Sequence, residues 1–147
     1  MKTQKIKKFA TGMLFSILLV SMMSFVTSCA QKIIFLRSSV VPAAEGTVTV
    51  KQDKNNNYLI KVEIEDLAEV ERLQSTRQTY VVWMESDKGN TENLGQLKSA
   101  KSIFSKQKTA SLETVSSFKP VRIFVTAENG INVRFPGEPI ILTTDIF

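Results

Sequence analysis

Few side chains in this sequence have the type and spacing that chemistry needs. Cys29 is the only cysteine in 147 residues, and it follows Val26-Thr27-Ser28 at the end of a long apolar run. A lone thiol so placed is a nucleophile to which acyl chains can be attached. Asp53-Lys54-Asn55-Asn56-Asn57 sets oxygen ligands at alternate positions, as the start of a calcium loop does. Such a loop needs glycine at its sixth position and a bidentate Glu at its twelfth, and here these are Tyr58 and Ile64. The segment therefore reads as a turn. Lys98, Lys101, Lys106 and Lys108 form a basic cluster with no acid between them, able to touch anionic lipid headgroups or lipopolysaccharide phosphate. The same pattern fits a solvated loop and a lysine-protected edge strand. Glu63, Glu65, Asp66, Glu69 and Glu71 make an opposing acidic patch, without the company of a metal cluster, and read as a solvated face. The chain has no His, which removes the commonest general base and metal ligand. Its serines lack a Gly-x-Ser-x-Gly elbow, and although Lys101, Ser102, Ser105 and Lys106 are neighbours, nothing points to the buried lysine that a Ser-Lys pair requires. The expectation is a protein that is not an enzyme and takes no metal or cofactor.

The element that positions Cys29 is an export signal. Met1 to Lys8 is basic, and an apolar stretch then runs from Phe9 to Val26, broken only by Thr11, Gly12, Ser16, Ser21 and Ser24. A basic start, an apolar core and a small-residue exit are the three parts of a secretory signal. The stretch is also close to the minimum for a membrane-spanning helix, which leaves an uncleaved anchor with an ordinary cysteine as the alternative. Val26-Thr27-Ser28-Cys29 resembles the bacterial lipobox: an aliphatic residue, two small residues, and a Cys whose thiol is acylated and whose amine becomes the new N-terminus. Small residues at 27 and 28 open the backbone to a peptidase. Acyl chains on Cys29 then supply anchoring at ~0.8 kcal/mol per buried methylene. Residues 1–28 are thus expected to be a lipoprotein signal peptide, and acylation leaves the mature chain without a thiol for disulfides.

Removing the signal changes the electrostatic reading. Lys2, Lys5, Lys7 and Lys8 go with it and no acid does, leaving 15 Lys/Arg against 14 Asp/Glu in 119 residues. A near-neutral domain of that size is a single domain with little electrostatic support for nucleic-acid binding.

Along the mature chain the apolar period is mostly two. Residues 29–46 are expected to be the lipidated Cys and a tether, with a first edge strand at 33–36 or, as an alternative, that run lying against the membrane. Val48 and Val50, then Tyr58, Ile60, Val62 and Ile64, alternate with polar or outward residues around the 53–57 turn, so 47–64 reads as a hairpin. Tyr80-Val81-Val82-Trp83-Met84 is apolar on both faces and marks a central strand with Trp83 in the core, and 93–98 returns as its partner. Further strands are expected around Ala110–Thr114, Val121–Val125 and Ile140–Leu142. Only 66–77 offers a helical period, through Leu67, Val70 and Leu73, and it amounts to one or two turns. Six to eight short strands over 47–147 make the expected fold all-β, an immunoglobulin-like β-sandwich.

Several of these segments resemble the extracytoplasmic C-terminal domain of anti-sigma-K factors. The likeness rests on Tyr80-Val81-Val82-Trp83-Met84, on Leu94-Gly95-Gln96-Leu97 and on Phe124-Val125-Thr126-Ala127-Glu128-Asn129-Gly130. It closes with Pro136-Gly137-Glu138-Pro139-Ile140-Ile141-Leu142 and covers roughly 47–144. The resemblance implies a small β-sandwich. The family's sigma-binding domain and its His/Cys zinc motif have no counterpart, and Asn129-Gly130-Ile131 stands where the family has a double glycine. Inhibition of a sigma factor therefore does not carry over. The arrangement also resembles short lipoproteins of Bacteroidetes-type bacteria. Ala30-Gln31-Lys32 lacks the acidic run of their surface-export signals, which points to the periplasmic side of the outer membrane. The expected partners are the membrane, through acylated Cys29, and an envelope protein. The alternatives are a structural or accessory subunit of an outer-membrane assembly, or a lipid- or glycan-binding lipoprotein.

Overall fold

The computed structural model describes residues 30–73, 76–101 and 108–147. Nine strands and one helical turn follow in chain order: β1 Ala30–Ile34, β2 Glu45–Gln52, β3 Tyr58–Glu65, α1 Val70–Leu73, β4 Thr79–Ser86, β5 Thr91–Gln96, β6 Lys98–Lys101, β7 Lys108–Ser116, β8 Pro120–Glu128 and β9 Ile140–Thr143. They form two antiparallel sheets, ordered β1-β2-β3-β7-β6 and β5-β4-β8-β9. The protein is an all-β sandwich. With β1 set aside, the order is the immunoglobulin-type A-B-E-D sheet facing C′-C-F-G.

The period-two pattern explains the packing. In the first sheet Val48 and Val50 of β2, and Ile60, Val62 and Ile64 of β3, turn inward, while Lys51, Lys61 and Glu63 turn to solvent. In the second, Tyr80, Val82 and Met84 of β4 meet them alongside Ile123, Val125 and Ala127 of β8. The β2–β3 turn is held by Asp53, whose carboxylate accepts from the backbone amides of Asn55 at 2.7 Å and Asn57 at 2.8 Å. Asn56 takes the left-handed conformation there, with φ 63°, one that Asn tolerates better than most residues. The acidic Asp53 side chain thus works as a turn, and the hairpin registers from Glu45↔Glu65 to Gln52↔Tyr58.

Two features differ from the sequence reading or extend it. The segment expected to be a tether is folded: β1 begins at Ala30, three residues before the anticipated edge strand, and pairs with β2 in register Ala30↔Lys51 to Ile34↔Thr47. Phe35, Val41 and Ala44 are buried in the main core, so residues 30–46 are part of the sandwich. The reason is that Ile33 and Phe35 share the inward side of an extended strand, and 36–44 carries the chain across to the second sheet. Leu36 N donates to Thr143 O at 2.8 Å, and Ser38 Oγ donates to Ile141 O.

The second adds to the reading rather than overturning it: Trp83 is buried in a core, as expected, but in a second one. It has no exposed surface, but it lies outside the space between the sheets, in a separate cluster with Val81 and Phe124 against Val133 and Ile140. Loop 129–139 covers this outer face of the second sheet, which is why β4 is apolar on both sides.

Candidate functional site

Three places carry the groups the sequence singled out, together with one it did not. The acylation motif, Val26, Thr27, Ser28 and Cys29, lies outside the described residues, as does Lys106. The described chain opens at Ala30, so the residue following Cys29 is already the first residue of β1.

The lysine cluster is distributed along one edge. Lys98 begins β6 opposite Ser111, and Lys101 ends it opposite Lys108. In the strand order β6 is the edge of the first sheet opposite β1, four strand spacings away, or ~19 Å at ordinary sheet spacing. Lys98 is exposed at the level of Ile34, through the pairings Lys98↔Ser111↔Glu63↔Thr47↔Ile34. Lys101 and Lys108 sit a further three residues from the Ala30 end. Lys98, Lys101 and Lys108 therefore lie at the edge of the first sheet opposite β1.

A groove of about 1070 Å³ runs across the outer face of the first sheet, beside β1. Lys32, Ile34, Leu36 and Arg37 line it from the edge, and Glu45, Glu63 and Glu65 from β2 and β3. Ile34 is 71% exposed and Leu36 44%. Gly46 lies beneath it on the core-facing side of β2, packed against Ile64 and Phe35. A Cβ there would lie 2.8 Å from Glu63 O and 2.9 Å from Ile64 Cγ1, closer than side chains approach. Glu63 is engaged with Lys61 at 2.8 Å, and this hydrogen bond holds the lysine's pKa above its ordinary value. An open groove of mixed charge and exposed aliphatic side chains suits a partner surface better than a small substrate, which needs convergent polar groups in an enclosed space.

Under loop 129–139 the structure assembles a buried polar chain that sequence reasoning missed. Trp83 Nε1 donates to Thr126 Oγ1 at 2.8 Å, and Thr126 Oγ1 donates to Glu128 Oε1. Gly137 N donates to the same carboxylate oxygen at 2.7 Å, while Arg77 Nη1 reaches Oε2 at 3.4 Å and Arg77 Nη2 donates to Glu138 O at 3.0 Å. On the other side, Asn93 Nδ2 donates to Ile131 O and Val133 O, both at 3.0 Å. Glu128 is 3% exposed and fully occupied by these donors. The network secures a loop rather than presenting a reactive group. The sequence signal was the run Thr126-Ala127-Glu128, where a polar residue alternates into an apolar strand.

Among the described residues no three His, Cys, Asp or Glu side chains converge as a metal site. No protein-family model, curated protein or solved structure matches the chain.

Proposed function

We propose that this protein is a lipid-anchored envelope lipoprotein whose β-sandwich is a non-catalytic interaction module, held on the periplasmic side of the outer membrane by acylated Cys29. The observation that carries the reading is Val26-Thr27-Ser28-Cys29 closing a basic-then-apolar signal. The position of β1 supports it: the strand that directly follows Cys29 in sequence is paired with β2, so an anchor there attaches to the folded sandwich itself.

The interaction reading draws on the β2–β3 side of the groove, where Glu45, Glu63 and Glu65 are exposed. The interior disfavours the lipid-carrier alternative, because the space between the sheets is filled by Ile60, Ile64, Met84, Ile123 and Leu142, all at most 2% exposed. Metabolic labelling with a fatty acid tests the anchor. Labelled wild type and unlabelled, membrane-released Cys29→Ser are the expected pair, and labelling of the Ser variant at wild-type level would end the proposal.

A further inference from the structure

We infer that the β1 edge of the sandwich lies against the bilayer that holds Cys29, with Ile34 and Leu36 in the interface and Lys32 and Arg37 at lipid phosphates. The inference rests on the lipoprotein reading above and adds which surface faces the membrane. Three observations carry it.

The first is reach. Ala30 directly follows the acylated residue and is already paired with Lys51, so no slack separates anchor and fold. Among the described residues β1 is an edge strand with no partner on its other side, the kind of edge that folded proteins ordinarily cover or protect. It runs outward from the anchor at ~3.3 Å per residue, placing Ile34 about 13 Å along the strand direction.

The second is side-chain placement. From Gln31 to Leu36 the strand alternates, with Ile33 and Phe35 turned to the core and Lys32, Ile34 and Leu36 turned out. Ile34 at 71% and Leu36 at 44% are among the few large apolar side chains left exposed. Cationic residues flanking apolar ones on a single surface make the pattern of an interfacial membrane contact.

The third is charge. Residues 30–44 contain Lys32 and Arg37 and no acid. Glu45, Glu63 and Glu65 line the same face from β2 and β3, so positive charge is confined to its β1 margin, at Lys32 and Arg37. That margin, and not the acidic side, is what an anionic leaflet attracts, each cation near the surface adding to the attraction. The crossing after β1 is tied to β9 by the Leu36–Thr143 and Ser38–Ile141 hydrogen bonds, so the patch is presented by a fixed backbone.

The test uses the acylated full-length protein in vesicles of phosphatidylethanolamine and phosphatidylglycerol. Because Cys29 is consumed by lipid, an introduced cysteine is the only free thiol. Ile34→Cys reports the β1 edge, Ile146→Cys the end of the sandwich near Val121, and Phe135→Cys the loop over the second sheet. Each is coupled to an environment-sensitive dye and exposed to a nitroxide-bearing lipid or to iodide. The expected result is a dye at 34 quenched several-fold more by the lipid than the dyes at 135 and 146, and shielded from iodide. Adding Lys32→Glu and Arg37→Glu should return the dye at 34 to water while the protein still floats with the vesicles. Iodide-accessible dye at 34, with or without lipid quenching at 146, overturns the orientation. Flotation and fatty-acid labelling report the anchor separately. Loss of both would remove the lipoprotein reading and this inference with it, whereas their retention with exposed dye at 34 removes only this inference.

Discussion

Replacing Trp83 by Ala should unfasten the outer-face cluster before it unfolds the sandwich. The indole has no exposed surface, stacks on Phe124 at 6.4 Å between ring centroids and 14° between planes, and donates to Thr126 Oγ1 at 2.8 Å. Truncating a buried Trp typically costs about 3–5 kcal/mol, against a domain stability of about 5–15 kcal/mol. Because Val81, Trp83 and Phe124 form a cluster separate from the core between the sheets, most of that loss should fall on loop 129–139, which packs on this cluster through Val133, beside Ile140 of β9. The variant has no tryptophan left, so stability is read from urea unfolding by far-ultraviolet circular dichroism, and the loop from amide hydrogen exchange. The expected outcome is a folded but weakened domain with exchange accelerated in 129–139 well beyond that in β2 and β3. Val133→Ala in the same background should add less than it does in wild type, since the two side chains share one cluster. A loss below ~1 kcal/mol, or acceleration spread evenly over both sheets, would refute the separate-cluster reasoning.

In wild type, Trp83 emission should be blue-shifted and resistant to iodide until unfolding, and red-shifted, readily quenched emission from the native protein would contradict its burial. Gly46→Ala should cost about 1–3 kcal/mol, as overpacking does, because its Cβ meets Glu63 O and Ile64 Cγ1, whereas Gly130→Ala, with nothing within 4 Å, should leave the urea midpoint nearly unchanged. Arg77→Ala should cost about 3 kcal/mol by stranding the buried Glu128 carboxylate, and equal unfolding midpoints for variant and wild type would show that Gly137 and Thr126 suffice for it. The Asn57 amide, with smaller contributions from the Asn57 side chain and the Asn55 amide, holds the Asp53 carboxyl below its ordinary pKa. Its contribution to stability is therefore present above the unfolded value and lost as pH falls through the folded one. Asp53→Asn should flatten the acid limb of the stability curve, and an unchanged limb would remove Asp53 from it.

The two-residue period made most of the sandwich legible. β2, β3, β4 and β8 are where alternation or a two-sided apolar run placed them, because each buries one or both faces. Asp53–Asn57 was readable as a turn from residues that satisfy backbone amides locally. The helical period at 66–77, read as one or two turns, is the single turn α1 among the described residues, with Leu67 and Val70 buried. Residues 30–46 were harder to read because Ile33 to Leu36 is a continuous apolar run, in which period cannot say which side chains turn inward. The pairing of β1 with β2 decides that, and pairing is a long-range fact. The network around Glu128 left one local trace, polar Thr126 and Glu128 in an apolar strand, but its partners are long-range in the same way. Arg77 and Glu128 lie 51 residues apart, and nothing local announces that a loop will close over them. The groove beside β1 likewise exists only once β1, β2 and β3 are assembled.

The central claim is that Cys29 is the acylated first residue of the mature protein. Intact mass spectrometry of the protein extracted from envelopes measures this directly. The account predicts a chain lacking residues 1–28, heavier than the bare 29–147 polypeptide by its acyl groups, with the added mass located on an N-terminal fragment containing Cys29. A full-length, unmodified chain, or a cleaved chain whose Cys29 is a free thiol, would contradict it.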